Sequence, residues 1–351
     1  MTVFDALSSR PPVAISGPRL FENDVETDKG SLYRFTSAIE AAVDVAIGLG
    51  RPLLVAGEPG CGKTELGYAV ARRLGVESLY FFSTKSSSEA RELFYTYDAV
   101  GRFREAQLAA VQGQGKSAKD VATPGDFIRY QALGRAILDS HTQVDVKNLL
   151  KGRGHVALPA EPRRSVVVID EIDKAPRDFT NDLLREIEDL SFRVPELSNS
   201  PEEGDGTPPG SRIPFERRPI IIATSNEESQ MPDAFLRRCI FLAIEFPDPA
   251  VLREILDLHL EKLDGGDNGT SERASLLILF DELRKGGMQK KPGIAELIDA
   301  GHVMTKRPAG VPFGEWLVRL APALVKLKTD LPVFSRALAA LSGPPLASQA
   351  E

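Results

Sequence analysis

GEPGCGKT, residues 57–64, decides how this 351-residue chain is read. It fits the pattern G-x-x-x-x-G-K-[ST]. Its glycines let backbone N–H groups curl around phosphate oxygens, and a helix starting at Thr64 turns the positive end of its dipole toward the anion. Lys63 would reach the β- and γ-phosphates of a bound nucleotide, and the Thr64 hydroxyl would ligate Mg2+. The nucleotide-contacting set is then Gly57, Glu58, Pro59, Gly60, Cys61, Gly62, Lys63, Thr64 and Glu65. Such a loop needs a strand before it and a helix after it. PLLVA at 52–56 is a short apolar run of the buried parallel-strand type, and ELGYAVARRLG at 65–75 is a helix closed by Gly75.

Further strands follow along the chain: SLYFF at 78–82, SVVVID at 165–170, PIIIATSN at 219–226 and CIFLAIEF at 239–246. SAIEAAVDVAIGLG at 37–50 is an amphipathic helix with Gly50 as its stop, and DFTNDLLREIEDL at 178–190 is another helix. The polar region from about 84 to 164 carries helical stretches, GRFREAQLAAVQ at 101–112 and DFIRYQALGRAILDS at 126–140. FRVPEL at 192–197 and RIPF at 212–215 could pair as a hairpin around a Pro/Gly-rich loop. Beyond Pro247 the pattern is helical to about Leu341. Strands alternating with helices, then helices alone, predict an α/β domain with a parallel sheet followed by a small helical domain. The expected division is an N-terminal arm over 1–36, a core over 37–247, a helical lid over 248–342 and a flexible tail over 343–351.

VVVIDEID at 166–173 supplies acids at the end of a buried strand. Asp170 is placed to hold the Mg2+ shell, and Glu171 to orient or deprotonate a water against the γ-phosphate. A kinase needs no water-activating glutamate here, so the pair favours hydrolysis. IIIATSN at 220–226 ends in polar residues. Asn226 could place the attacking water, with Thr224 and Ser225 as weaker candidates. AFLRRC at 234–239 holds Arg237 and Arg238 near the last strand. Read locally, adjacent arginines are a solvated pair or a salt bridge, or else they stabilise charge on a transferring phosphoryl group from a neighbouring subunit.

Charged residues make up 26% and hydrophobic ones 42%, an ordinary globular composition. The net charge of -7 argues against nucleic acid or an anionic membrane as the main partner. Two cysteines, Cys61 and Cys239, are too few for a disulfide framework, and none of the four histidines stands at metal-ligand spacing from a cysteine. With no signal-like apolar start and no run of about 18 apolar residues, a cytoplasmic location is expected. Cys61 lies at a helix N-terminus, which favours a thiolate; a small residue that simply fits is the plainer reading. Phe313 and Trp316, at i and i+3 in PFGEWLVRL, read as lid core.

These pieces, in this order, resemble the MoxR branch of the AAA+ ATPases. GEPGCGKT looks like the family's Walker A, VVVIDEID like its Walker B, ATSN like sensor 1, and MPDAFLRRC at 231–239 like its arginine-finger segment. YTYDAVGRF at 95–103, YQALGRAIL at 130–138 and KKPGIAEL at 290–297 look like stretches of MoxR proteins encoded beside von Willebrand factor A (VWA) proteins. The resemblance runs from about Ala38 to Leu341. It implies a five-stranded parallel sheet with helices on both faces, then a helical lid, in rings that are commonly hexamers with ATP between subunits. It gives Asn226 the sensor 1 role and makes Arg238 the finger, with Arg237 beside it. The clade's insert would lie within 84–164 and its hairpin at about 192–215. In one respect the chain departs from the pattern: relatives carry a sensor 2 arginine directly after a proline, where Gly293 follows Pro292 here. Lys290 or Lys291 is the substitute candidate.

The expected function is an ATP-driven remodelling or chaperone-like ATPase acting on a protein partner such as a VWA protein. Two other classes stand beside it. A nucleic-acid-linked restriction-type NTPase would bind DNA in a salt-sensitive way. A nucleotide-dependent scaffold or switch in a signalling or defence complex would bind partners without turnover.

Overall fold

The computed structural model describes residues 30–112, 123–150, 156–197, 213–260, 270–308 and 310–341. Its contacts divide the chain into two units. The first comprises Phe35–Ala56 and Thr64–Ala243, with residues 30 and 31. The second is Ile244 onward together with Leu32–Arg34 and Gly57–Lys63. Expectations for residues 1–29 and 342–351 lie outside the described residues.

The first unit is built on a five-stranded parallel sheet, β1 (Leu53–Gly57), β2 (Ser78–Ser83), β5 (Ser165–Asp170), β6 (Ile220–Ser225) and β7 (Ile240–Ile244), in spatial order β2-β5-β6-β1-β7. Burial follows position in the sheet. The central strands β5, β6 and β1 are buried residue after residue, whereas the edge strands β2 and β7 mix buried and exposed positions. A strand covered on both faces has no polar side, which is why VVVI and IIIA read as continuous apolar runs. Each such side chain contributes about 1.5–3 kcal/mol on burial. A slip in register would sacrifice several at once. The register that results pairs Ile169 with Ala223 and so carries Asp170 and Thr224 side by side to the strand ends.

Helices connect the strands: α1 (Ser37–Leu49), α2 (Lys63–Arg73), α3 (Ala99–Gln112), α4 (Ala132–Asp139), α5 (Gln143–Leu149), α6 (Arg177–Asp189) and the short α7 (Asp233–Leu236). The ends of α1 follow from its sequence. Thr36 accepts a hydrogen bond from the Ile39 N–H at 3.3 Å, and Gly50 closes the helix at φ 61°, a left-handed cap that glycine adopts without a Cβ penalty.

Two local expectations need correction. The stretch 126–140 is not one helix: Ile128–Tyr130 is a strand, β4, antiparallel to β3 (Tyr95–Tyr97). Tertiary packing overrides the helical pattern there. Phe94 stacks on Phe192 at 5.3 Å, and Tyr130 meets the same ring edge-on at 6.1 Å. The expected hairpin at 192–215 has no strands in its described arms. Pro195–Leu197 and Phe215–Arg217 are single 3-10 turns, and Pro195 and Pro214 have no N–H to give a ladder. Residues 198–212 between them lie outside the described residues.

The second unit holds α8 (Pro249–Leu260), α9 (Thr270–Lys285), α10 (Ile294–Thr305), α11 (Phe313–Leu317), α12 (Ala321–Leu324) and α13 (Leu331–Leu341). Leu256, Leu276, Phe280, Leu297 and Leu320 are among its fully buried core, and Phe313 is half-buried against that core. Trp316 is anchored by its Nε1–H, which donates to the Val303 carbonyl at 3.1 Å. Among the described residues no helix is long and apolar enough to cross a membrane.

Candidate functional site

At the ends of β5 and β6, six side chains converge. Asp170 Oδ1 accepts two hydroxyl hydrogen bonds at 2.7 Å, from Thr64 at the head of α2 and from Thr224 on β6. Thr224 Oγ1 in turn accepts the Glu171 N–H at 2.9 Å. Glu171 itself adopts a left-handed backbone, φ 54°, unusual for a residue with a Cβ. Its two carboxylate oxygens have separate partners: Asn226 Nδ2 donates to Oε1 at 3.2 Å and Lys174 Nζ to Oε2 at 2.5 Å. The hydrogen bond to Glu171 raises the exposed Lys174 ammonium above its ordinary value.

Asp173 ties this turn to the next. Buried, it accepts the backbone N–H of Asn226 at 3.1 Å and of Glu228 at 3.0 Å on Oδ2. The Ser229 hydroxyl donates to its carbonyl. Thr224 and Asp173 therefore hold Glu171 and Asn226 in place from either side. Reading the sequence made Thr224 only a weak candidate and gave Asp173 no role. An aspartate three residues beyond Asp170 was the available signal.

Within the second unit, Lys63 is buried and its ammonium donates to the carbonyls of Gly57 and Glu58, both at 2.8 Å. Neutral carbonyls solvate a buried cation without balancing its charge, so this loop favours an incoming anion. Cys61 is 4% exposed, and burial pushes its thiol above the ordinary value against the opposing pull of Lys63. Glu58, Pro59 and Gly60 are exposed, and Glu65, in the first unit, accepts the Gly30 N–H.

The position after Pro292 packs tightly against the loop. A Cβ on Gly293 would lie 3.0 Å from Gly60 Cα and 3.2 Å from the Gly60 carbonyl oxygen. Ile294, the first residue of α10, donates its N–H to that same carbonyl at 2.9 Å. Lys291 is exposed, and no polar partner for its side chain occurs among the described residues. Instead, Arg284, in the last turn of α9, reaches the loop by donating to Glu58 Oε2 at 2.7 Å. It carried no recognisable motif in the sequence.

The two arginines before β7 are not joined to this cluster. Arg238 pairs with Glu188 on α6 at 3.0 Å and donates to the Ala234 carbonyl at 3.2 Å. Arg237 is exposed, and its carbonyl accepts from Arg51. Neither bonds to Asp170, Glu171 or Asn226.

Mg2+ fits the donors present. Asp170 and Thr64 bring a carboxylate and a hydroxyl oxygen together, a hard set of the kind Mg2+ takes when phosphates and water complete its shell. Among the described residues no group of three or more His, Cys, Asp or Glu could hold a metal without such help.

Residues 52–239, more than half of the chain, match the family model described as AAA domain (dynein-related subfamily). No curated protein matches the chain. Among solved structures, the Thermotoga maritima RuvB Holliday junction branch migration motor is similar at 15% identity, over 90% of this chain and 68% of that one, with a TM-score of 0.37. The FIGL-1 AAA domain in complex with ADP is similar at 14% identity, over 99% of this chain and 91% of that one, with a TM-score of 0.39.

Proposed function

The chain belongs to the AAA domain family, dynein-related subfamily, and from that premise we propose that it is a MoxR-type AAA+ ATPase that hydrolyses Mg-ATP to remodel or activate a protein partner. The observation that supports this reading most is the double acceptance at Asp170, from Thr64 and Thr224, with Glu171 next in the chain and held by Asn226. One carboxylate thereby meets the ion-binding hydroxyl, and the next, oriented by Asn226 and Lys174, is the one assigned to water.

In this reading Thr64 and Asp170 hold Mg2+, which when bound neutralises phosphate charge. Lys63 exchanges its two loop carbonyls for phosphate oxygens. Glu171 accepts the proton of the attacking water, and Asn226 fixes the direction of its carboxylate. Arg238 leaves Glu188 to reach the nucleotide of a neighbouring subunit, with Arg237 beside it.

The chain acts as a ring, a hexamer by the family's habit, in the cytoplasm, with a core over about 37–247 and a lid over about 248–342. A VWA-domain protein is the partner class, met through the insert within 84–164. The Glu171→Gln variant, loaded with Mg-ATP, tests this: it should run as a ring by light scattering and retain a protein partner from the native host. A monomer at saturating Mg-ATP contradicts the proposal.

A further inference from the structure

Glu58 is an acid in a loop read as the seat of a triphosphate. Its carbonyl accepts from the Lys63 ammonium at 2.8 Å, so its backbone lies against the cation that would meet the phosphates. A free carboxylate there would oppose a polyanion through Coulomb repulsion. Glu58 is not free. Arg284 Nη2 donates to its Oε2 at 2.7 Å, and the rest of that guanidinium is fixed. Its Nη1 donates to the Pro292 carbonyl at 2.8 Å, and its Cζ lies 3.3 Å from the centroid of the Phe246 ring. The arginine side chain is only 14% exposed, while its glutamate partner is 52% exposed. An arginine so held loses little further freedom in keeping its partner, and a planar fork suits this task better than a flexible ammonium.

We propose that Arg284 is a positioning residue for nucleotide binding: it neutralises Glu58 so that the loop 57–63 can accept a triphosphate. The start of α10 meets the loop through its backbone: Gly293 packs closely on Gly60, and the Ile294 N–H holds the Gly60 carbonyl. Arg284 therefore works on the loop's own charge and not on the phosphate. The proposal rests on reading the loop as a triphosphate site.

The test is equilibrium binding of a fluorescent N-methylanthraniloyl ATP with Mg2+ to the full chain. Arg284→Ala should weaken binding on the order of tenfold, less at high salt, because an exposed carboxylate is screened. Glu58→Gln should bind at least as tightly as wild type. The double variant should return to within about twofold of Glu58→Gln, since distinct actions would instead add. A double variant as weak as Arg284→Ala overturns the proposal, as does unchanged binding by Arg284→Ala. If Arg284→Ala loses its helical circular dichroism signal, Arg284→Gln carries the same comparison, because it keeps a donor for Pro292. Lys63→Ala separates the two readings: if it binds as wild type does, the loop is not the triphosphate site, whatever Arg284 does.

Discussion

Asn226 Nδ2 donates to Glu171 Oε1 across 3.2 Å, joining the first residue beyond β6 to the first residue beyond β5. The contact depends on the register of two neighbouring buried strands and on the left-handed turn at Glu171. Asn226→Ala should leave the carboxylate free to turn, since only Lys174 then restrains it. Turnover of saturating Mg-ATP should fall by about 10–100-fold, while nucleotide binding stays within about threefold. Phosphate-release kinetics beside equilibrium binding check this.

Thr224 offers a sharper case, because one buried hydroxyl serves two partners. Thr224→Val keeps the shape but removes a donor to Asp170 and an acceptor for the Glu171 N–H. Unfolding free energy should drop by about 1–3 kcal/mol, and Thr224→Ser should recover most of it. Urea titrations of the three proteins measure the difference.

Stability should decline in alkali through three groups, Cys239, which is buried, and Tyr80 and Tyr130, which are half-buried. Burial raises Cys239 to about 12, Tyr130 to about 12 and, with help from Asp139, Tyr80 to about 12. In each case the folded chain keeps a proton that the unfolded chain releases earlier. The stability they contribute is therefore complete below pH 9 and is lost as pH rises toward 12. Tyr130→Phe removes one of these titrations while keeping the ring against Phe192, so its urea midpoint should fall less between pH 9 and 11 than that of wild type.

Cys61 should be chemically quiet. It is buried, and that burial holds its thiol protonated despite Lys63 nearby. At pH 7.5 iodoacetamide should modify it at least roughly tenfold more slowly in the folded chain than in urea, as expected where the thiolate is scarce. Mass spectrometry of the peptide containing Cys61 follows both rates.

The sheet was legible in the sequence because its central strands are buried on both faces, so LLVA, VVVI and IIIA stand out without any partner being known. Thr64, Asp170, Glu171 and Asn226 were legible because each sits at a strand end or helix start that the pattern marks. What was missed is non-local. The β3–β4 pair is three residues long on each side and depends on rings contributed by Phe94 and Phe192. Glu188, the partner of Arg238, lies 50 residues earlier on α6. Arg284 sits in an ordinary basic helix end, and only the fold brings it to Glu58, 226 residues away. Asp173 looked like one more acid in an acidic turn until its two backbone donors were seen.

The central claim is that Glu171 is the base in a hydrolytic site. Glu171→Gln keeps the shape and an acceptor for Asn226 but cannot take a proton. Phosphate release from saturating Mg-ATP, measured with the assembled protein, tests it most directly. The account predicts a fall of roughly 100- to 10,000-fold with Mg-ATP binding retained. Turnover by Glu171→Gln at the wild-type rate would contradict it.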